Sequence, residues 1–182
     1  MKRFLIPFVC ACALVAGPPL FAAKPGGGSS KWNQVAAMLQ FMREEEKLAR
    51  DVYLKLNDKY HEDTNTFESI AKSEQLHTDA VKALLEKYGV EDPAAETERG
   101  EFVNEELQEL YETLVEIGEE GLTEGLNVGV TIEKKDMDDI ADAIDLSRKY
   151  PDIVKVYSNL LAGSESHLAA FLEALEKAAD DD

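Results

Sequence analysis

Residues 73–81 read SEQLHTDAV, and they place two ionisable side chains where an amphipathic helix would bury hydrocarbon. The apolar residues around them recur at spacings of three and four, which predicts a helix. Glu74 and His77 are three residues apart, so on a helix they project from one face about one turn apart. An inward carboxylate and imidazole must be paired, neutralised or bound to a metal, because burying them unsatisfied costs several kcal/mol. The complete stripe is Phe67, Ile70, Glu74, His77, Val81, Leu84 and Tyr88.

The first 23 residues are predicted to be a signal peptide that is absent from the mature protein. Lys2 and Arg3 precede an apolar run over residues 4–17, and small residues follow up to Ala23. The run is too short and too interrupted for a typical membrane span, although an uncleaved anchor is the alternative. We therefore expect a periplasmic or secreted protein with no membrane contact after cleavage.

The rest of the chain divides into three predicted parts. Residues 24–32 are predicted to be a flexible Gly/Ser linker, because their composition is that of an unstructured spacer. Residues 33–179 are predicted to form the folded domain, and residues 180–182 an acidic tail.

Composition limits the chemistry. Both cysteines, Cys10 and Cys12, lie in the leader, so the mature chain is expected to have neither a disulfide nor a thiolate metal site. Any metal would then need oxygen and nitrogen ligands. The formal charge of −18 argues against nucleic-acid binding, because a basic face is needed to neutralise phosphates. The same charge would concentrate cations near the surface, although solubility explains most of the acidic residues.

The chain is predicted to be all-α, because no segment has the alternation of a β-strand. Four long helices are predicted, two of them on each side of a passage of roughly 30 residues that serves as a crossover and contains a short extra helix. The two short connections make antiparallel pairs. The predicted long helices cover residues 33–60 and 66–88 before the crossover, and 122–146 and the segment from Pro151 after it, with the short helix at 104–117.

Several residues predict where helices begin and end. Thr66 and Asn104 are predicted N-caps, since their side chains can accept hydrogen bonds from free backbone N–H groups. Gly89 is the predicted stop of the second helix, and Pro151 suits a first turn. The short helix is predicted to bury Leu107, Leu110, Tyr111 and Leu114.

Each predicted long helix carries a ligand-type side chain near the middle of its apolar stripe. One such residue would mean little, because a lone inward His or Glu is usually a satisfied core residue. Here all four helices place an ionisable side chain on the apolar stripe, at similar depth. No Lys or Arg lies at these positions to balance the acidic charge, so a bound cation is favoured as the counter-ion. The predicted metal ligands are Glu46, Glu74, His77, Glu133, Asp136 and His167.

This pattern resembles the ferritin-like superfamily, whose di-metal sites take a Glu from each of two helices and a Glu-x-x-His from each of the other two. Glu46 and Tyr53 are similar to the Glu-x6-Tyr of a ferritin first helix, and EQLH at residues 74–77 is similar to the Glu-x-x-His of the second. Glu133 and His167 stand where the third and fourth helices supply a Glu and a His. The resemblance implies a ferritin-like four-helix bundle.

Three longer segments are similar to the branch of that superfamily known as domain of unknown function 2202. They are MREEEKLARDVY at 42–53, SEQLHTDAVKALLEKYG at 73–89 and NLLAGSESHLAAF at 159–171. The likeness extends over about residues 42–175, most of the mature chain, and implies the fold more firmly than a function.

The fourth long helix departs from the superfamily pattern. Ser164 stands three residues before His167, where the superfamily has a Glu. Glu165 is about 200° around the helix from His167 and is predicted to be solvated. Asp136 either replaces the missing ligand or accepts a hydrogen bond from a ligating histidine; the third alternative is that only one ion binds firmly.

Three neighbouring assignments complete the candidate site. Tyr53 is predicted to be a core residue with a satisfied hydroxyl in preference to a redox group. Glu46 is preferred to Glu45 as the ligand, because Glu46 shares the stripe of Tyr53. His61, in the predicted turn, is expected to be exposed.

Two classes of function fit these residues. The first is an exported metal-binding protein holding one or two ions of iron or manganese, with zinc compatible by ligand type. Oxidase or peroxidase-type activity would make it a metal-dependent oxidoreductase. The second is a non-enzymatic helical binding or structural module, in which the buried groups hydrogen-bond one another. The sequence leaves a homodimer open and favours a ferritin-style storage cage less, because no cage-forming symmetry is visible.

Overall fold

Amphipathic stripes of period 3.6 fold this chain into helices that bury their apolar sides together. The computed structural model describes residues 30–180, and no strand occurs in that part of the chain, which confirms the all-α prediction. The predicted leader, both cysteines and most of the predicted linker lie outside the described residues. The helices are α1 (Ser30–Tyr60), α2 (Thr66–Tyr88), α3 (Glu105–Gly118), α4 (Leu122–Leu146) and α5 (Pro151–Asp180).

The four long helices contact one another in the cyclic order α1, α2, α5, α4, and α3 packs on α1 and α4. α2 runs antiparallel to α1, since Trp32 near the start of α1 contacts Tyr88 at the end of α2. α4 also runs antiparallel to α1, since Tyr60 at the end of α1 lies against Gly125 near the start of α4. The chain between α2 and α4 must therefore return along the length of α1, as the predicted crossover requires.

The crossover covers the outer side of α1 and is held there by buried charged residues. Every residue from 42 to 49 is buried, including several that an amphipathic helix with one buried face would expose to water. Lys47 donates a hydrogen bond from Nζ to the carbonyl oxygen of Glu98 at 2.7 Å. Glu44 accepts one at Oε1 from the backbone N–H of Val103 at 2.6 Å. These bonds satisfy crossover backbone groups that would otherwise be buried without partners.

Two apolar clusters lie on either side of a buried polar layer. The first includes Tyr53 and Phe171, whose ring centroids are 5.1 Å apart. The second includes Met42 and Ile140. In each long helix the predicted ligands fall between the residues of one cluster and the residues of the other. The polar layer consists of Glu46, Glu74, His77, Glu133, Asp136, Ser164 and His167.

Two helix starts differ from the prediction. α1 begins at Ser30, so residues 30–32 are helical although they were assigned to the linker. The reason is tertiary, because Trp32 is buried against the rings of Tyr88 and Tyr150. Thr66 is the first residue of α2 and not its N-cap, and the residue before the helix makes no capping hydrogen bond with its side chain.

The prediction that Leu110 is buried is also wrong, since 38% of this residue is exposed. α3 packs on its neighbours mainly through the side that carries Leu107 and Leu114, and Leu110 lies on the flank of that side. The other end signals are confirmed: Asn104 accepts hydrogen bonds from two α3 backbone N–H groups, and Gly89 adopts the left-handed conformation at φ 62°. Within residues 30–180, no helix has the length and apolar character that a bilayer crossing requires.

Replacing Asn104 with alanine should lower the free energy of unfolding by about 1 kcal/mol, because the first turn of α3 loses its side-chain acceptor. Urea unfolding followed by circular dichroism measures the change. The matched control is Asn65→Ala, since Asn65 precedes α2 without a capping hydrogen bond from its side chain. Equal losses in the two variants would contradict the capping role of Asn104.

Candidate metal centre

The structure brings side chains from α2 and α5 together at Glu74. Nδ1 of His77 lies 2.8 Å from Oε2 of Glu74, and Nδ1 of His167 lies 2.7 Å from Oε1. Ligand atoms of these three residues all lie within 4.8 Å of one another, a spacing that a single cation can span. Glu74 and His77 come from one turn of α2, whereas His167 reaches the group from α5.

These close approaches lack the geometry of hydrogen bonds. Oε2 of Glu74 and Nδ1 of His167 have no hydrogen-bond partner among the described residues, although each lies under 3 Å from an opposite group. Buried polar atoms are almost always hydrogen-bonded, so atoms without a partner mark positions where a water or an ion can bind. Oε2 of Glu74 and Nδ1 of His167 are therefore candidate ligand atoms.

A second carboxylate stands beside each histidine. Nδ1 of His77 is hydrogen-bonded to Oε2 of Glu46 at 3.2 Å, and Nδ1 of His167 lies 3.5 Å from Oε2 of Glu133. Each imidazole nitrogen thus lies between Glu74 and one further Glu. Oε1 of Glu46 and Oε2 of Glu133 also lack hydrogen-bond partners in the described structure. The cluster has two similar halves that share Glu74.

Asp136 lies next to the residue at which the superfamily pattern breaks. The Ser164 hydroxyl contacts Oδ2 of Asp136 at 2.5 Å and the carbonyl oxygen of Leu160 at 3.0 Å. Oδ1 of Asp136 has no partner within residues 30–180. A carboxylate is therefore present beside position 164, but α4 supplies it in place of α5. Among the described contacts, Asp136 makes no hydrogen bond to either histidine, so the second-shell role has no support there.

Burial sets the acidity of the carboxyl groups. Removal from water raises the pKa of Glu46, Glu133 and Asp136, and for Asp136 it does so to about 7. Glu74 behaves in the opposite way: burial alone would raise its pKa, but the two adjacent imidazoles lower it to about 2. Glu74 is therefore the carboxylate of the cluster whose ionised form its neighbours favour.

The histidines are more basic than free histidine. Burial alone would lower the pKa of His77, but the carboxylates of Glu46 and Glu74 raise it to about 10. His167 responds in the same way to its own two carboxylates, and its pKa is raised to about 9. Without a cation both rings are protonated at neutral pH. A metal would have to displace these protons, so its affinity should fall as the pH falls.

A glycine of α5 makes room for the His77 ring. A Cβ at Gly163 would lie 2.4 Å from Nε2 of His77, closer than any ordinary contact. The Nε2 side of the ring thus faces the α5 backbone, while Nδ1 faces the carboxylates. Gly163 belongs to the segment at 159–171 that carries part of the family resemblance, but its role was not predicted.

Two tyrosines flank the polar layer. Tyr53 is fully buried and donates a hydrogen bond from its hydroxyl to Oε1 of Glu133 at 2.6 Å, which confirms its prediction as a satisfied core residue. Tyr157 was missed. Its buried hydroxyl has no partner in the described residues, and burial and the nearby Glu46 charge raise its pKa. Its spacing of seven from Ser164 on the same α5 stripe was the available signal.

The remaining candidate positions fall outside the cluster. Glu46 lies beside His77, whereas Glu45 is buried on the side of α1 that faces Asp136 and Asp139 of α4. The spacing of Glu45 from Leu48 and Val52, which are both buried, was the available signal for its burial. His61 and Glu165 are exposed, as predicted.

The fold and this site define an all-helical protein with a buried cluster of carboxylates and imidazoles. The chain belongs to the family described as uncharacterized protein domain DUF2202, which it matches over residues 35–181. It is 48% identical over 134 residues to uncharacterized protein MJ0754 of Methanocaldococcus jannaschii, a match that covers 74% of this chain and 71% of that protein.

A solved structure shows the same likeness. The crystal structure of hypothetical protein MJ0754 from Methanococcus jannaschii is similar with a TM-score of 0.77 and 42% identity, over 87% of each chain. Neither name states an activity, so the chemistry has to be argued from the site.

Asp136→Asn should stabilise the metal-free protein at pH 8 and have little effect at pH 4. In the folded protein the pKa of Asp136 is raised from its ordinary 3.8 to about 7. The free energy of unfolding therefore falls as the pH rises from about 4 to 7, because the buried carboxyl group ionises less readily than it would in the unfolded chain. The asparagine has no charge to desolvate. Urea unfolding in the presence of a chelator, repeated from pH 4 to 8, measures the difference between variant and wild type.

The control for this experiment is Asp142→Asn, which removes the same charge from an exposed position of α4. A stability difference for Asp136→Asn that does not grow between pH 4 and 7 would contradict the raised pKa.

Proposed function

We propose that the protein is a ferritin-like four-helix bundle whose polar layer binds one or two metal ions, with iron or manganese favoured. One observation carries the proposal. Four carboxylates and one imidazole from all four long helices each present a buried atom without a hydrogen-bond partner, and they do so in a single layer. These residues are Glu46, Glu74, Glu133, Asp136 and His167.

The donor set fits these ions. It combines carboxylate oxygen with imidazole nitrogen, which suits iron and manganese and remains compatible with zinc. No Lys or Arg within residues 30–180 forms an ion pair with any member of the layer, so a cation would supply the missing positive charge. If two ions bind, Glu74 is the residue placed to be shared, because its two oxygens face different histidines.

The surroundings support a redox role. Bound iron or manganese would supply one-electron chemistry toward oxygen or peroxide, and this makes an oxidase or peroxidase-type oxidoreductase the proposed class of enzyme. The apolar clusters above and below the layer exclude bulk water. Tyr53 donates to Glu133 and so orients that carboxylate toward His167. A periplasmic or secreted location and a homodimeric assembly stay predictions from the sequence.

The alternative function is a non-enzymatic helical binding or structural module. Two hydrogen bonds favour it, since the His77 to Glu46 and Tyr53 to Glu133 contacts show that part of the layer already satisfies itself. The alternative leaves the remaining unpartnered atoms of Glu74 and Asp136 without an explanation. Metal content separates the two functions.

The protein purified from cells supplied with iron or manganese should contain one or two ions per chain by elemental analysis. The double variant Glu74→Ala with His77→Ala should lose them, because it removes the shared carboxylate and one imidazole. The matched control is Glu165→Ala with His61→Ala, which removes the same residue types from exposed positions. A wild-type metal content near zero after supplementation would favour the structural module.

Gly163→Ala should weaken metal binding by roughly tenfold or more, because the added Cβ forces the His77 ring out of its place. The rise in melting temperature on adding excess manganese should shrink accordingly, since binding to the folded state stabilises it by mass action. The metal-free variant should keep its helix content, as alanine favours helices over glycine by about 0.5 to 1 kcal/mol.

The neighbouring exposed substitution Ser166→Ala serves as the control and should leave the manganese-induced rise unchanged. An undiminished rise in the Gly163→Ala protein would show that the position of the His77 ring does not matter for binding.

A further inference from the structure

A pocket opens between α1, α3 and α4, on the side of the polar layer away from the two histidine-bearing helices. Its volume is about 220 Å³. Its walls are mainly apolar, and the two acidic residues that line it are Glu45 and Asp136. The apolar lining includes Leu48, Leu110, Leu114 and Ile132.

Both carboxylates of the pocket are buried and incompletely satisfied. Glu45 is 6% exposed and Asp136 is 5% exposed. Oε2 of Glu45 and Oδ1 of Asp136 have no hydrogen-bond partner in the described part of the chain. Two such acceptors lining an apolar pocket call for a hydrogen-bond donor or a cation beside them. The pocket therefore has polar functional groups as well as space.

Asp136 connects the pocket with the polar layer. It lies one turn from Glu133 on α4, and its Oδ2 is bonded to Ser164 of α5. Glu45 is the neighbour of Glu46 on α1, and the two side chains diverge by about 100° around the helix. Glu46 thus points to His77, while Glu45 points to the pocket. Asp136 therefore belongs both to the lining of the pocket and to the polar layer.

Within residues 30–180, the lining of the pocket contains one basic residue, and that residue forms an ion pair. Lys135, which lines the pocket, is paired with Asp139 one turn further along α4. Carboxylates between low-dielectric walls focus the electric field and raise the local concentration of cations. On the opposite side, between α2 and α5, the His77 ring lies against the backbone of Gly163, and the side chains of His77 and His167 are 12% and 9% exposed.

We propose that the pocket between α1, α3 and α4 is the access route by which divalent cations reach the polar layer. Glu45 receives the cation within the pocket, and Asp136 transfers it to the cluster. This inference rests on the proposed metal-binding function, because a buried metal site requires a path from solvent. Leu110, which is exposed and lines the pocket, controls the width of the route.

The experiment measures Co²⁺ uptake by stopped-flow absorption and Co²⁺ release into excess chelator, together with the equilibrium Kd. Leu110→Trp narrows the pocket, Leu110→Ala widens it, and Glu45→Gln removes its outer carboxyl group. The matched controls are Leu172→Ala, another exposed leucine, and Glu109→Gln, an exposed carboxylate on α3 that does not line the pocket.

Leu110→Trp should slow uptake and release by the same factor, on the order of tenfold, and Leu110→Ala should speed both, with Kd unchanged in each. A residue on the route alters the barrier and leaves the free and bound states as they were. Glu45→Gln should slow uptake by about tenfold, whereas Glu109→Gln should stay within about twofold of wild type.

Three results would overturn the inference. If every variant takes up Co²⁺ at the wild-type rate, the route lies elsewhere and the metal-binding function stands. If the Leu110 variants change Kd while release keeps its rate, Leu110 acts on the site itself and not on access to it. If the wild-type protein binds no Co²⁺ at all, the metal-binding function fails, and the route fails with it.

Discussion

Four carboxylates and two imidazoles share one layer inside the fold, and the desolvation of these groups and the repulsion among the carboxylates constrain the rest of the structure. The metal-free protein can bury this layer because burial and neighbouring charges shift the pKa values of its groups and so change which of them carry protons. Both histidines become stronger bases, Asp136 becomes a weaker acid, and Glu74 stays ionised between the imidazoles. A cation would replace this arrangement of protons with direct coordination, so the same groups explain both metal affinity and its expected pH dependence.

The two apolar clusters hold this layer at its depth in the fold. Because each long helix contributes to both clusters, no helix can slide along its axis without moving polar groups into hydrocarbon. Tyr53 and Gly163 then fix individual side chains, one by a hydrogen bond to Glu133 and the other by the space it leaves for His77. Stability and site geometry therefore depend on the same packing.

α1 takes part in two polar systems at once. Glu46 faces the buried layer, while Glu44 and Lys47 face outward and bind the backbone of the crossover. The crossover in turn places α3 over α1 and α4, and this forms the pocket that contains Glu45. The middle of α1, over residues 42–49, is buried on all sides and carries no single apolar stripe, which explains why the sequence pattern of α1 indicated only part of its environment.

The sequence by itself determined the all-α class, the span of most helices and the residue types of the polar layer, since these depend on spacing along one helix. Glu74 and His77 are an example, because three residues on a helix always bring two side chains to one face. Only the tertiary structure decided which groups meet across helices, such as Asp136 with Ser164, and that Trp32 is buried. Such contacts depend on the relative rotation and depth of separate helices, which no local spacing encodes.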